Sequence, residues 1–105
     1  MTKVEVELGH NKSIKKITVH GHANYAESGS DIVCAGISTL LMTGALAARE
    51  IVGTDIMKEC RDGRLVLEVP TDNIDDNLQV ILQTVIIGLR DIESGYPKNI
   101  KIKEI

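Results

Sequence analysis

Two stretches of alternating residues, each folded back by a turn signal, are each followed by an apolar stripe of helical length. That order constrains the fold more than any other feature of the chain. Val4, Val6 and Leu8 alternate with Glu5 and Glu7, as in a strand with one apolar face. Gly9-His10-Asn11-Lys12 reads as a hairpin turn, and Ile14 to His20 forms the returning strand with Ile17 and Val19 on its buried side. The same plan recurs with Thr54 to Cys60 and Arg64 to Val69 on either side of Arg61-Asp62-Gly63, with Pro70 stopping the last strand.

The intervening segments have helical periodicity. From Ser30 or Asp31, either of which suits a cap, Val33, Cys34, Ile37, Leu40, Leu41, Gly44, Ala45 and Ala48 recur at three- and four-residue steps, and Gly53 closes the helix. A second helix is predicted from about Asn73, with Asp76 in a capping-box relation. Its stripe is Leu78, Ile81, Leu82, Val85, Leu89 and Ile92, and Gly95-Tyr96-Pro97 ends it. Ile100 to Ile105 is a last strand. The predicted order β-β-α-β-β-α-β is an α+β two-layer sandwich, a mainly antiparallel sheet carrying two helices. Residues 1–105 make one domain, with no linker, repeat or low-complexity tract.

The core must be aliphatic, because the chain has no Phe or Trp and only two Tyr. So few aromatic faces, with a net charge of -3, argue against a nucleic-acid surface. Lys12, Lys15 and Lys16, followed by His20, form a local basic run, read first as a solvated strand edge where lysines discourage stray pairing. The apolar stretches are broken too early to span a bilayer, so no membrane partner is expected. Two cysteines, Cys34 and Cys60, suit neither a disulfide framework nor a metal motif. With no signal segment at Met1-Thr2-Lys3, a cytoplasmic location follows as the default. Val80 and Ile87 fall off the second helix's stripe, which suggests either a deep groove or a homodimer interface.

The chemistry concentrates in Gly21 to Gly36. If the first helix starts at Ser30 or Asp31, Cys34 lies in its first turn, where unpaired N–H groups favour the reactive thiolate and can hold an oxyanion. His22, just after the second strand, stands across a small polar loop as a candidate base. Each residue has a plainer reading. Cys34 on a small-residue helix packs as a buried cysteine does, and His20, His22 and Cys34 together fall one ligand short of a metal site. Asp31 is a cap or a group orienting His22, and Gly21 and Gly29 bracket the loop as backbone relief or hinges. Tyr25 packs or covers the cleft, and Ser38 bonds its own helix or faces the cleft one turn beyond Cys34. Cys60 has no chemistry assigned to it.

The run Gly21-His22-Ala23-x-Tyr25-Ala26-x-x-Gly29-x-Asp31-Ile32-Val33-Cys34-Ala35 resembles the signature of the bacterial ribosomal-processing cysteine protease family, Prp. The likeness in element order covers nearly the whole chain. Gly36 is a small departure, standing where the family more often has Ala. The resemblance implies a cofactor-free homodimeric cysteine endopeptidase of ribosome biogenesis. Its substrate would be the precursor of the twenty-seventh large-subunit ribosomal protein, trimmed of its N-terminal extension. On that match Cys34 is the nucleophile, His22 the general base and Asp31 a supporting acid. The competing expectation is a non-enzymatic partner that binds a ribosomal protein or an assembling subunit. A thiol-redox role is a third, opposed by the lack of a second cysteine near Cys34 in sequence.

Overall fold

The computed structural model describes residues 1–21, 28–71 and 75–105, with side chains described throughout except at 28–31. The elements follow the predicted order: β1 (Thr2–Leu8), β2 (Ile14–His20), α1 (Ser28–Ala47), β3 (Met57–Arg61), β4 (Arg64–Glu68), α2 (Asp76–Gly95) and β5 (Ile100–Glu104). A 3-10 turn at His10–Lys12 closes the first hairpin, with Asn11 and Lys12 both left-handed (φ 57° and 60°). A π-helical turn at Ala48–Val52 prolongs α1 to Gly53, whose φ of 77° makes the left-handed cap that glycine adopts without strain.

The sheet runs β3-β4-β2-β1-β5. All neighbours are antiparallel except β1 and β5. The first hairpin is therefore the centre of the sheet, and the second adds to it through β4. Residue parity then sets the two faces. Val4 opposes Val19 and Val6 opposes Ile17, and all four are buried under the helices. Glu5, Glu7, Lys16, Thr18 and His20 point the other way.

This register corrects the edge reading of the lysines. β2 is paired on both sides, and its basic residues answer glutamates of β1 and β4. Lys16 stands opposite Glu7 and Glu68, Lys15 lies 3.7 Å from Glu7, and His20 Nε2 lies 3.1 Å from Glu5 Oε1. Lys15 and Lys16 thus stand in an interior ladder that faces carboxylates rather than at an edge, and Lys12 lies outside it in the turn.

The second helix starts later than its sequence suggests. Asp75 caps it, accepting hydrogen bonds from the N–H groups of Asn77 (2.7 Å) and Leu78 (3.4 Å). Asn73, the residue expected to begin it, lies outside the described residues. Leu78, Leu82, Val85, Ile86 and Leu89 are its buried face. Ile86 replaces the expected Ile81, which is only half-buried. Gln79 joins this helix to β2: its Nε2 donates to the Ile14 carbonyl (2.9 Å), and its Oε1 accepts from the Ile14 N–H (2.7 Å). One side chain thus imitates a strand partner.

The expectation that no apolar stretch reaches membrane length is also corrected. Ile32–Val52 spans 21 residues at a mean hydropathy of 1.6, long and apolar enough to cross a bilayer by those two measures. Its polar residues before Arg49 are neutral (Ser38, Thr39, Thr43), so they interrupt the stretch far less than charges would. In the fold, one face of this helix is core: Val33, Ile37, Leu41 and Ala48 are all at most 2% exposed.

An aliphatic core must gain contact by close approach, and the two helices achieve it through glycines. A Cβ on Gly88 would stand 2.9 Å from Leu40 Cδ1, and one on Gly44 would stand 2.6 Å from Val85 Cγ2. Leu40 and Val85 occupy the space left by these missing side chains. We therefore expect Gly44→Ala to lower unfolding stability by about 1–2 kcal/mol, because overpacking against a stiff β-branched neighbour outweighs the gain in helix propensity. Gly95→Ala, with nothing within 4 Å, should instead be neutral or stabilising. Urea denaturation of the two variants tests the contrast.

Candidate active site

Strand β2 ends at His20, and the chain turns out of the sheet at Gly21 with φ 91°. Its N–H donates to the Gly63 carbonyl at 3.1 Å, fastening it to the β3–β4 turn. A Cβ here would fall 2.8 Å from the Met1 carbonyl oxygen, so glycine is required for both conformation and space. His22 follows directly. His22 and Tyr25 lie outside the described residues.

Helix α1 begins at Ser28, earlier than Ser30 or Asp31, which moves Cys34 from the expected first turn into the second. The N–H groups of Ser28, Gly29 and Ser30 precede the first intrahelical bond, as the opening N–H groups of any helix do. The N–H of Cys34 is consumed within the helix, so it is not free to hold an oxyanion. Helical side chains tilt toward the N-terminus, which keeps the thiol directed back over the positive end. Gly29 and Asp31 occupy the first turn of α1, and the side chain of Asp31 is outside the description.

Cys34 is half-buried and lines an open cavity of about 410 Å³. Gly21 and Ser38 line the same cavity, so the structure brings three of the expected site residues together. Ser38 does face the cleft one turn beyond Cys34. The floor is apolar, built from Val19 of β2, Ile37 and Met42 of α1, and Leu65 of β4. Thr2 also lines it, and its buried hydroxyl has no hydrogen-bond partner among the described residues.

The opposite wall is the β3–β4 hairpin, Cys60 to Arg64. Nothing local places it there, because strand order is not encoded in alternation. The signal that was available is parity: Cys60 opposes Leu65, and Leu65 opposes Val19, so all three share the inner face. Cys60 is therefore a cavity residue, and the cysteine missing from the neighbourhood of Cys34 in sequence is present beside the same cleft in space.

Glu59 organises the two arginines of this hairpin. It accepts from Arg64 Nε at 2.9 Å and lies 2.7 Å from Arg61 Nε. The hydrogen bond from Arg64, helped by the charge of Arg61, holds its carboxyl below the usual carboxylate range. With the value depressed, the pairing is complete at neutral pH and is lost only as pH falls through that lowered value. Among the described residues no group of three His, Cys, Asp or Glu could hold a metal ion.

Similarity to known proteins points the same way as this geometry. The family model described as "Cysteine protease Prp" matches residues 1–101. The ribosomal processing cysteine protease Prp of Staphylococcus aureus is 32% identical over 105 residues, covering 97% of both chains. Crystal structures of the S. aureus protease superpose over the full length of both chains. The one holding a substrate peptide has a TM-score of 0.84 at 28% identity, and the one with a covalently linked product peptide 0.80 at 29%. With its fold and nearly all of its length accounted for by one family, the chain belongs to the Prp ribosomal-processing cysteine proteases.

Proposed function

We propose that residues 1–105 form a single cytoplasmic protease domain, with Cys34 as nucleophile and His22 as general base. In this reading it removes the N-terminal extension of a large-subunit ribosomal protein precursor, the twenty-seventh, during ribosome assembly. The observation that carries the reading is the half-buried thiol of Cys34, set in an open cleft whose wall includes Gly21, the residue immediately before His22. The names of the relatives support the substrate class, and the covalent product peptide on one of them supports a covalent route.

In the first half-reaction His22 takes the proton of the Cys34 thiol, and the sulfur attacks the scissile carbonyl carbon. Collapse of the tetrahedral intermediate breaks the C–N bond, and the imidazolium of His22 protonates the departing amine. A thioester remains. Water, deprotonated by His22, then attacks the thioester carbonyl and releases the acid product, and the proton returns to the thiolate. No step calls for a metal or an organic cofactor. The field of α1 supports the thiolate, though from the second turn it acts more weakly than a first-turn site would. Asp31, the fourth residue of α1, lies too far into the helix to be its N-cap, and in this reading it supports the site by orienting His22.

Incubation of the extended precursor with the wild type should lower its mass by that of the extension. Cys34→Ala and His22→Ala should reduce the rate at least a thousandfold while binding persists. Cleavage retained by Cys34→Ala would end the proposal, and an unchanged mass with the wild type would favour a non-enzymatic binding protein.

Gly21→Ala provides a second check. The added methyl group must displace either the Met1 carbonyl or the start of the segment that carries His22. We expect kcat to fall about tenfold or more with KM nearly unchanged, since the cleft wall at Cys60 to Arg64 stays in place. Steady-state kinetics on a peptide spanning the junction distinguishes the two parameters.

We also propose a homodimer. Val80 and Ile87, two helical turns apart on one face of α2, are 60% and 69% exposed, and Leu46 and Ile51 add 52% and 69% along the α1 side. Sedimentation of the wild type should give twice the monomer mass, and Ile87→Glu should shift it to the monomer at micromolar concentration.

A further inference from the structure

Strand β3 is an edge of the sheet, and nothing among the described residues pairs with its outer side. Its hydrogen-bonding direction follows from the hairpin. Only Asp62 and Gly63 separate Arg61 from Arg64, so these two close the hairpin as a pair that exchanges both N–H···O bonds. Antiparallel pairs alternate, and the next pair, Cys60 with Leu65, is therefore the non-hydrogen-bonded kind. The N–H and C=O of Cys60 consequently point away from β4, toward the open edge.

The side chain of Cys60 faces inward, and it lines the cavity that contains Cys34. A peptide laid along this edge opposite Cys60 would give and receive one hydrogen bond with it. Residues opposite each other across a ladder share a face, so the peptide residue paired with Cys60 would send its side chain into the same cavity. The floor there is Ile37, Met42 and Leu65. The rest of the edge is blunted. The register slips between Met57 and Glu59, and Lys58 is exposed within that irregularity. Only the end beside the cleft offers regular pairing.

We infer that the main chain of Cys60 docks the substrate: the peptide adds as a short strand to the open edge of β3, pairs one residue with the N–H and C=O of Cys60, and places that residue's side chain in the Cys34 cavity. The inference rests on the protease reading and deepens it by naming how the peptide is held. The side chain of Cys60 contributes shape alone, whereas its amide and carbonyl contribute register.

Proline at position 60 removes the outward N–H and no bond to β4, a substitution that edge strands tolerate. On a synthetic peptide spanning the junction, Cys60→Pro should raise KM tenfold or more with kcat within about threefold. Cys60→Ala, which keeps the amide and loses only the sulfur, is the reference against which Cys60→Pro is read. Alkylation of Cys34 by iodoacetamide should proceed equally fast in the two variants, which shows the nucleophile undisturbed. The substrate tests the complementary bond, in which its own N–H donates to the Cys60 carbonyl. In a scan of singly N-methylated peptides, one position should raise KM tenfold or more with the wild type. A KM for folded Cys60→Pro within twofold of that for Cys60→Ala would overturn the inference. So would the absence of any N-methyl position that the wild type resists, which decides the matter if Cys60→Pro does not fold. Cleavage by the wild type in either experiment separates failure of this docking mode from failure of the protease reading.

Discussion

The pairing of β2 with β4 is the constraint on which the rest of the molecule depends. It sets Val19 opposite Leu65 and His20 opposite Arg64, so β2 ends level with the turn of the second hairpin. The hydrogen bond from the Gly21 N–H to the Gly63 carbonyl continues that ladder by one step beyond the strand. Two segments far apart in sequence are thereby locked together at the point where the chain leaves the sheet. The cleft exists because α1 packs above this junction without covering it. Shift the register by one residue, and Leu65 and Cys60 turn to the charged face while the apolar floor of the cavity disappears.

Much of this architecture was legible because alternation and helical stripes are local properties. Val4, Val6, Ile17 and Val19 are buried where their period puts them, and the order of elements follows from turn signals at Gly9 to Lys12 and Asp62-Gly63. What was not legible depends on pairing between distant segments. The lysines of β2 fit an edge equally well, because nothing local says that β4 comes to lie beside them. The place of Cys60 beside the cleft is hidden for the same reason. Helix starts were misplaced at both helices, at α1 by two or three residues and at α2 through Asp75. Ser, Asp and Asn are clustered at both places, and several can cap equally well until tertiary contacts choose. The candidate site was half legible. The loop-and-helix motif points to Gly21, Cys34 and Ser38, which share the cavity, while nothing local places the second hairpin as its far wall.

The shift of α1 changes the weight of the arguments about Cys34. A thiol in the first turn would have both the free N–H groups and the full helix field beside it. In the second turn the N–H groups are spent, and the field falls off over that distance. In the proposed mechanism, activation then leans more on the imidazole of His22 than on the helix. That makes the path of the chain between Gly21 and Ser28 more consequential, and the left-handed, sterically confined Gly21 is the described residue that fixes where the path begins.

The composition of the cleft decides how a peptide is selected there. Its rim carries Arg61 and Arg64, but residue parity turns both side chains to the outer face of the sheet, where they share the one carboxylate of Glu59. Surface ion pairs of this kind contribute little to stability, but they hold the hairpin arginines away from the open floor. What remains for recognition is the aliphatic floor and the main chain at the edge of β3. A floor of Ile37, Met42 and Leu65 rewards any apolar side chain of suitable volume and discriminates weakly between them. Register along the strand edge is sharper, because a slip of one residue points the wrong side chain inward. Selectivity in this cleft therefore arises from where the peptide backbone is held, with the pocket confirming the choice.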